Sequence, residues 1–344
     1  MPRTQTKRPA RQTAAATTTV IDAGARYGMH PSWVSFPGAV RYFAFEPDRE
    51  EAERLRRRSP GNGYEVIDCA LADEEGERTL QITKHRGYSS FLPVDPESEW
   101  FKRYRPGEGA RERSVRVKAV TVDRFAQRRG LDIDFLKVDT EGTELAVLRG
   151  AERQLAGSVL GIRANVSFQA CYKGQALFQD LHAYVLSQRF FLANLDYFGR
   201  GVPRSGLFRN PDPLEPDRER YGVLIGTDAV WLREDAWIHE RHAGDPQALA
   251  TAILKYAAFC FANHAPDVGL DALQRFARSR PDPFAGALAG SALYTELRRA
   301  IAKFLGRWRV YQDAQWDLAR SAFRDIFGLD LETGSKYWEF IQSL

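Results

Sequence analysis

Short apolar runs alternate with longer amphipathic or charged stretches along the first 235 residues of the chain. The short runs predict strands, and the longer stretches, whose apolar residues recur at helical spacing, predict helices. The predicted strands are 20–22, 42–45, 64–67, 78–83, 114–120, 133–138, 159–168, 190–197 and 221–233, and the predicted helices are 48–58, 121–130, 143–155 and 175–188. This alternation is typical of an α/β fold with a mostly parallel sheet.

The remainder of the chain has a different pattern. From residue 244 onwards apolar residues recur at helical spacing, first at 249, 253, 256 and 260 and again at 293, 297, 301, 304 and 308. We interpret 244–344 as a helical region that packs its own core; a homodimer surface and a part of the substrate cleft are the alternatives. Residues 1–19 are rich in Arg, Thr and Ala and contain no acidic residue, which predicts a disordered basic tail. The α/β domain is therefore expected to span 20–235.

Composition excludes several classes of function. The 49 basic and 45 acidic residues leave a net charge of +4, and four of the cations lie in the tail, before Asp22. A body near neutrality lacks the concentrated basic face that nucleic-acid binding requires. Cys69, Cys171 and Cys260 form no pairs, so neither a disulfide framework nor a metal site is expected. No apolar run is long enough to span a membrane, and we expect a cytoplasmic protein.

The first predicted strand runs into a turn that is suited to a ligand. It ends in Asp22, and Gly24, Ala25 and Gly28 follow. Glycine allows the backbone to take unusual φ angles or to pass close to a ligand. The peptide N–H groups that follow such a turn form a site for a ligand's anionic end. These four residues are therefore predicted to bind a cofactor.

The second predicted strand ends in Glu46 and Pro47, and it indicates the kind of cofactor. A carboxylate at this point accepts hydrogen bonds from both hydroxyls of a ribose. A dinucleotide site would need a third glycine beside Gly24 and Gly28, and Asp22 would repel a pyrophosphate. The same aspartate suits the ammonium and sulfonium groups of S-adenosylmethionine. The two strands thus favour S-adenosylmethionine over NAD.

The third predicted strand leads into Asp68, Cys69 and Ala70. Asp68 is positioned to accept a hydrogen bond from an adenine amino group, with Cys69 and Ala70 against the ring. The alternative, which the sequence supports equally, is that Asp68 merely begins a turn.

Candidate catalytic residues follow the predicted strand 133–138. Asp139 and Glu141 come at its carboxyl end, where open α/β sheets bind their ligands. Lys137 and Glu144 flank them and are expected to point elsewhere. A hydroxyl acceptor needs a base to take its proton, so Asp139 and Glu141 are the leading hypotheses. His85, in the irregular stretch 84–113, is a third candidate, although a structural role explains it as well.

Six motifs occur in an order that resembles the FkbM family of S-adenosylmethionine-dependent methyltransferases over about residues 20–233. They are VIDAGARYG, YFAFEPD, CALADEEGE, GYSS, FLKVDTEGTELAVLRGA and VSFQACYKGQALFQDL. The resemblance implies a class I methyltransferase fold, which is a Rossmann-like seven-stranded sheet with its last strand antiparallel. It also implies O-methylation of a hydroxylated small-molecule, sugar, glycan or polyketide-like acceptor.

The chain departs from the family pattern at two positions of the predicted site. Arg26 stands where the family usually has Asn, and Asn165 stands where it often has Glu. These departures leave open a catalytically inactive methyltransferase fold that serves as a binding module. An NAD-dependent oxidoreductase is the less favoured alternative.

Overall fold

The computed structural model of the chain describes residues 17–195, 201–202, 223–280, 283–284, 286–310, 313–332 and 336–344. The chain divides into two compact units. One comprises Thr19–Phe36 and Val40–Gly269, and the other comprises Pro37–Ala39 and Leu270–Leu344 with the N-terminal residues up to Thr18. The predicted basic tail lies outside the described residues as far as residue 16.

Among the described residues the strands are β1 (Thr18–Ala23), β2 (Val40–Phe45), β3 (Tyr64–Ile67), β4 (Ala70–Leu71), β5 (Gly76–Thr83), β6 (Arg111–Val120), β7 (Phe135–Val138), β8 (Gly161–Ser167), β9 (Phe190–Leu195), β10 (Gly201–Val202), β11 (Val223–Leu224) and β12 (Gly226–Arg233). The helices are α1 (Pro31–Val34), α2 (Arg49–Arg57), α3 (Val122–Arg129), α4 (Glu144–Arg149), α5 (Glu152–Gly157), α6 (Phe178–Ser187), α7 (Asp235–Arg241), α8 (Pro246–Ala262), α9 (Pro266–Arg278), α10 (Ala292–Leu305), α11 (Ala314–Phe327) and α12 (Lys336–Ser343). A single π-helical turn, Trp100–Tyr104, lies between β5 and β6.

Seven strands form one sheet in the order β3-β2-β1-β7-β8-β12-β9. β1 pairs in parallel with β7, and β7 pairs in parallel with β8. β12, the last strand of the sheet in the sequence, is antiparallel to both of its neighbours. The predicted α/β fold with a seven-stranded sheet and an antiparallel last strand is therefore confirmed. A smaller sheet, β4-β6-β5, is inserted between β3 and α3.

The central strands are covered on both faces. Every residue of β1 and β7 is buried, as expected for parallel strands that have helices on each side. Apolar side chains of β1, β7 and β8, among them Ile21, Leu136 and Ile162, belong to one core cluster. Because β1, β2, β7 and β8 run in the same direction, the residues that follow them meet at one edge of the sheet.

The predicted helix 143–155 is two helices, α4 and α5. Gly150 ends α4 where the chain passes so close to Ala72 that a Cβ at Gly150 would lie 2.1 Å from the Ala72 carbonyl oxygen. The Asp123 carboxylate then accepts from the backbone N–H groups of Arg153 (2.8 Å) and Gln154 (3.0 Å), which begin α5. A long-range contact and a remote cap thus interrupt an otherwise continuous amphipathic pattern.

α8 belongs to the sheet unit, although the sequence assigned it to a separate helical region. The Phe259 ring stacks on Phe135 with centroids 4.5 Å apart, and Lys255 Nζ lies 2.8 Å from Asp134 Oδ2. Gly161 leaves room for this ring, since a Cβ there would lie 2.4 Å from it. The compact unit accordingly continues to Gly269, because helical periodicity does not reveal which surface a helix covers.

The second unit packs α10, α11 and α12 around its own apolar side chains. Leu297, Ile301 and Phe323 are fully buried there, and the Tyr337 hydroxyl donates to the Ala302 carbonyl at 2.9 Å. In the described ranges, no helix has both the length and the apolar character needed to cross a membrane.

Candidate active site

The turn after β1 restricts which residue types can occupy its positions. Gly24 has φ +86°, and a Cβ there would lie 1.8 Å from the carbonyl oxygen of Asp139. Its N–H and that of Ala25 donate to the Phe45 carbonyl at 3.1 and 3.0 Å, which ties the turn to the end of β2. Gly28 has φ +90° and closes the turn with a bond to the Ala25 carbonyl at 2.7 Å. The ends of β1, β2 and β7 are thereby held together by backbone contacts.

A cavity opens beside this turn and encloses about 660 Å³ of empty space, including its mouth. It is lined by residues of the sheet edge and of the small sheet: Gly24, Arg26, Tyr27, Phe45, Glu46, Pro47, Ala70, Leu71, Leu80, Gly87, Ser89, Ser90, Phe91, Asp139, Thr140, Glu141 and Thr143. The structure thus brings together Gly24, Glu46, Pro47, Ala70, Asp139 and Glu141 from the predicted set.

Glu46 places a buried carboxylate in the cavity wall. Its Oε1 accepts from the Asp48 N–H at 2.8 Å and lies 3.5 Å from the Arg26 guanidinium. Within the described residues, no group donates to its Oε2. Burial raises the pKa of Glu46 to about 7, although Arg26 and the Asp48 N–H act in the opposite direction. The site therefore has an open acceptor oxygen at the end of β2.

Arg26 is accommodated by carboxylates around the same turn. Its guanidinium donates to Asp48 Oδ2 at 2.9 Å and is mostly buried. Asp48 also caps α2, since its Oδ1 accepts from the Glu50 N–H at 3.2 Å. Arg26 thus joins the first turn to the start of α2 without blocking Glu46 Oε2.

Glu141 lies in the loop after β7 with a backbone φ of +56°, which is unusual for a residue other than glycine. Ser90 Oγ donates to its carbonyl oxygen at 2.7 Å, and the Tyr172 hydroxyl donates to its Oε2 at 2.7 Å. Burial, and next the charge of Asp139, raise the pKa of Glu141 well above its ordinary value. The loop therefore holds the Glu141 carboxylate at the cavity on a strained backbone.

Glu144 supports this loop from the side away from the cavity. Its Oε1 accepts from the backbone N–H groups of Thr140 (2.8 Å) and Gly142 (3.1 Å). Burial raises the pKa of Glu144 to about 7, with these N–H donors opposing the shift. The buried Glu144 carboxylate therefore satisfies backbone N–H groups of the loop for which a longer turn would supply carbonyl acceptors.

Comparison with known proteins identifies the domain around this cavity. Residues 22–192 match the family model of the methyltransferase FkbM domain. The chain contains a methyltransferase FkbM domain. It is also similar to a crystal structure of methyltransferase FkbM from Methylobacillus flagellatus KT, with 17% identity and a TM-score of 0.34 over 65% of this chain and 45% of that one. No curated protein matches the sequence. The family supports a methyltransferase and implies a methyl donor.

Asp22 of the FkbM domain is fully buried beneath the turn and does not line the cavity. Its Oδ2 accepts from the Tyr42 hydroxyl at 2.5 Å, and its Oδ1 lies 3.1 Å from Lys137 Nζ. Burial raises the pKa of Asp22, and the charge of Lys137 opposes this shift. Asp22 therefore already has a cationic partner inside the protein.

Lys137 does not point away from Asp139, contrary to the expectation, although it does not line the cavity. Its Nζ lies 3.3 Å from both Asp139 Oδ2 and the Gly24 carbonyl oxygen, in addition to its contact with Asp22. Residues two apart on a strand share a face, so Lys137 and Asp139 both face the turn. Lys137 therefore offsets part of the negative charge at this edge.

Asp68 lies outside the cavity of the FkbM domain, with an exposed side chain beside a surface groove that Arg113 and Lys118 also line. Cys69 points to the backbone of β6, where its Sγ lies 3.2 Å from the Lys118 carbonyl oxygen. This placement agrees with the turn interpretation of Asp68, and only Ala70 of the three predicted residues reaches the cavity.

Sequence reasoning missed the apolar wall that Leu71, Leu80 and Phe91 provide. Leu80 and the buried Ile82 alternate with polar residues on β5, which is a signal for one buried face. Nothing in the pattern showed that this face adjoins the cofactor turn. Phe91 belongs to an irregular stretch and carried no signal.

His85 is exposed, and its ring packs against that of Tyr88 with centroids 4.6 Å apart. It begins the short turn that brings Gly87 to the cavity, but it does not itself line that cavity. His85 therefore lies at the rim of the cavity.

Proposed function

We propose that the FkbM domain transfers a methyl group from S-adenosylmethionine to a hydroxyl oxygen of a small-molecule, sugar, glycan or polyketide-like acceptor. The observation that carries this proposal is the buried carboxylate of Glu46, whose Oε2 is open at the wall of the cavity. A buried carboxylate with an unused acceptor oxygen is a costly arrangement unless a ligand donates to it.

The residues around the cavity fit this cofactor. Glu46 would accept from the ribose hydroxyls, and the turn at Gly24 would hold the methionine end. The apolar side chains of Leu71 and Phe91 would cover the adenine ring. Asp139, which lines the cavity and is only partly balanced by Lys137, would attract the ammonium group.

S-adenosylmethionine, when bound, supplies a methyl group that is already activated by a positively charged sulfur. The protein's remaining tasks are to align the acceptor and to accept its proton. Asp139 and Glu141 are the carboxylates at the cavity that are positioned for the second task. Lys137 contacts Asp139, whereas Glu141 has a tyrosine hydroxyl as its neighbour.

The test is to measure S-adenosylhomocysteine binding by calorimetry for the wild type, Glu46→Ala and Glu53→Ala, an exposed glutamate on α2. Hydrogen bonds to a charged group contribute about 1.5–3 kcal/mol, so affinity should fall roughly tenfold to hundredfold in Glu46→Ala only. Equal affinities would remove Glu46 from the site. A wild type that binds NAD instead would favour an oxidoreductase. Cofactor binding without transfer to any hydroxylated acceptor would favour the inactive module.

A further inference from the structure

A second cavity adjoins the first in the same compact unit and has about 1020 Å³ of empty space, including its open mouth. Its wall includes Asn165 and Asp228, from neighbouring strands of the sheet, and the aromatic rings of Tyr88, Trp100 and Tyr172. Among the described residues that line the two cavities, Glu141 is the member common to both. A side chain in this position can contact one ligand in each cavity.

We propose that the second cavity binds the methyl acceptor and that Glu141 takes the proton of the acceptor hydroxyl. The inference rests on the proposed function and assigns a place to the second substrate. In the proton transfer, the O–H bond of the acceptor breaks and the proton joins a carboxylate oxygen of Glu141. The bonding pair stays on the acceptor oxygen, which thereby becomes the nucleophile.

The geometry of Glu141 supports this role. Tyr172 donates to Oε2, while no described residue donates to Oε1, which leaves one oxygen available to a ligand. Its positive φ is one that glycine adopts easily, yet the chain carries a glutamate there. Strained residues of this kind cluster at functional sites. Ser90, which donates to the Glu141 carbonyl, holds the backbone in this conformation.

The polar side of the second cavity presents a balanced charge. Asn165 and Asp228 are direct partners on β8 and β12, and Asn165 Nδ2 lies 3.4 Å from Asp228 Oδ1. The buried Arg163 guanidinium lies 2.8 Å from Asp228 Oδ2. Asp228 therefore supplies, from the adjacent strand, the carboxylate that Asn165 lacks. No described residue donates to Asn165 Oδ1, so it can accept from an acceptor hydroxyl.

These walls select the chemical class of the acceptor. Aromatic rings such as those of Tyr88 and Trp100 pack against apolar faces, whereas the amide of Asn165 and the carboxylates bind hydroxyls. The Arg163–Asp228 ion pair has no net charge that would attract an ion of either sign, and the Glu141 carboxylate disfavours an anion. The cavity thus fits a neutral, polyhydroxylated ring with one apolar face.

The test uses the full chain saturated with S-adenosylhomocysteine and saturation-transfer NMR with four probes, the methyl glycosides of glucose, galactose, mannose and rhamnose. Glucuronate is the anionic comparison. We expect saturation of at least one glycoside and none of glucuronate. In Ser167→Trp, which fills the cavity, and in Asn165→Leu, the glycoside signal should fall at least tenfold. Ser59→Trp, in an exposed turn, is the control.

The outcomes separate the two proposals. The affinity of both cavity variants for S-adenosylhomocysteine should stay within about twofold of wild type. If no glycoside binds the wild type, or if its signal survives in a folded cavity variant, the assignment of the second cavity is overturned. If S-adenosylhomocysteine does not bind the wild type, the proposed function fails whatever the glycosides do. Asn165→Leu replaces a side chain of similar size, so it provides the test if Ser167→Trp does not fold.

Discussion

The two cavities differ in what builds them. The first is framed by backbone at the ends of β1, β2 and β7, where Gly24 and the Asp139 carbonyl leave no space between them. The second is framed by side chains, since its aromatic wall comes from Tyr88 and Trp100 in the segment between β5 and β6. We infer that the fold itself specifies the turn of the first cavity, whereas the inserted segment between β5 and β6 specifies the aromatic wall of the second. Changes to the first should therefore affect folding and cofactor binding together, and changes to the second should affect the acceptor alone.

The largest effect is expected for Gly24→Ala, which tests whether backbone contact specifies the first cavity. The new Cβ would lie 1.8 Å from the Asp139 carbonyl oxygen, and the alanine backbone would have to adopt an unfavourable positive φ. Overpacking against backbone and a left-handed conformation together should cost about 3–5 kcal/mol. We expect an insoluble protein or a melting temperature lowered by many degrees, with S-adenosylhomocysteine binding lost.

The control is Gly157→Ala at the end of α5, where a Cβ would meet no atom within 4 Å. This variant should melt within a few degrees of wild type. If Gly24→Ala were equally stable and bound S-adenosylhomocysteine normally, the first cavity could not depend on this close approach.

The difference between the backbone frame of the first cavity and the side-chain frame of the second explains which features could be predicted from the sequence. Strand ends were predictable because an apolar run that is buried on both faces stops at polar residues such as Glu46 and Asp139. The turn at Gly24 was predictable because few residue types tolerate its conformation. The fold class follows from the same alternation of strands and helices. For these features, the local pattern and the tertiary role coincide.

The remainder depends on contacts between residues that are distant in the sequence. Asp22 sits at a strand end as Glu46 does, yet it is covered because Tyr42 and Lys137 reach it first. Phe91 and Trp100 line cavities although they belong to an aperiodic segment. The pairing of Asn165 with Asp228 required knowledge of strand order. Periodicity gives the face on which a residue lies, but not its neighbour across the sheet.

The second prediction concerns Glu141, the boundary between the cavities. If it is the base, Glu141→Gln should lower single-turnover methyl transfer by roughly 10²–10⁴. The transfer would be measured with the first acceptor found in a radiolabelled-methyl screen, and S-adenosylhomocysteine affinity should change little. Because burial and Asp139 raise the pKa of Glu141, the wild-type rate should increase with pH beyond the ordinary range of a glutamate.

Two companion variants sharpen this result. Glu141→Gly should be as inactive as Glu141→Gln but equally or more stable than wild type, because glycine relieves a left-handed strain of about 1–2 kcal/mol. A purely structural Glu141 would reverse this pattern, with normal transfer in the glutamine variant and lost stability in the glycine variant. Asp139→Asn is the matched comparison: a larger loss of rate there, at unchanged cofactor affinity, would assign the base to Asp139 instead.

The smallest effect concerns the support of the loop between the cavities. Burial raises the pKa of Glu144 to about 7 from its ordinary 4.5. Between these values the folded protein keeps a proton that the unfolded chain has released. Stability must therefore fall as pH rises through this window, since the slope follows the difference in bound protons. Below the window Glu144 is neutral in both states and carries no such penalty.

Glu144→Gln isolates this contribution from other buried acids, including Glu46, whose pKa is also raised to about 7. The glutamine Oε1 can still accept from the Thr140 N–H, but it carries no charge to bury. Between pH 5 and 7.5 the variant should gain about 1–3 kcal/mol of stability relative to wild type, because a tenfold change in proton affinity corresponds to about 1.4 kcal/mol. Melting curves across this range would measure the gain, with the exposed Glu112→Gln as the control. A constant difference between Glu144→Gln and wild type would mean that Glu144 stays charged in the fold, held by its N–H donors more strongly than burial opposes it.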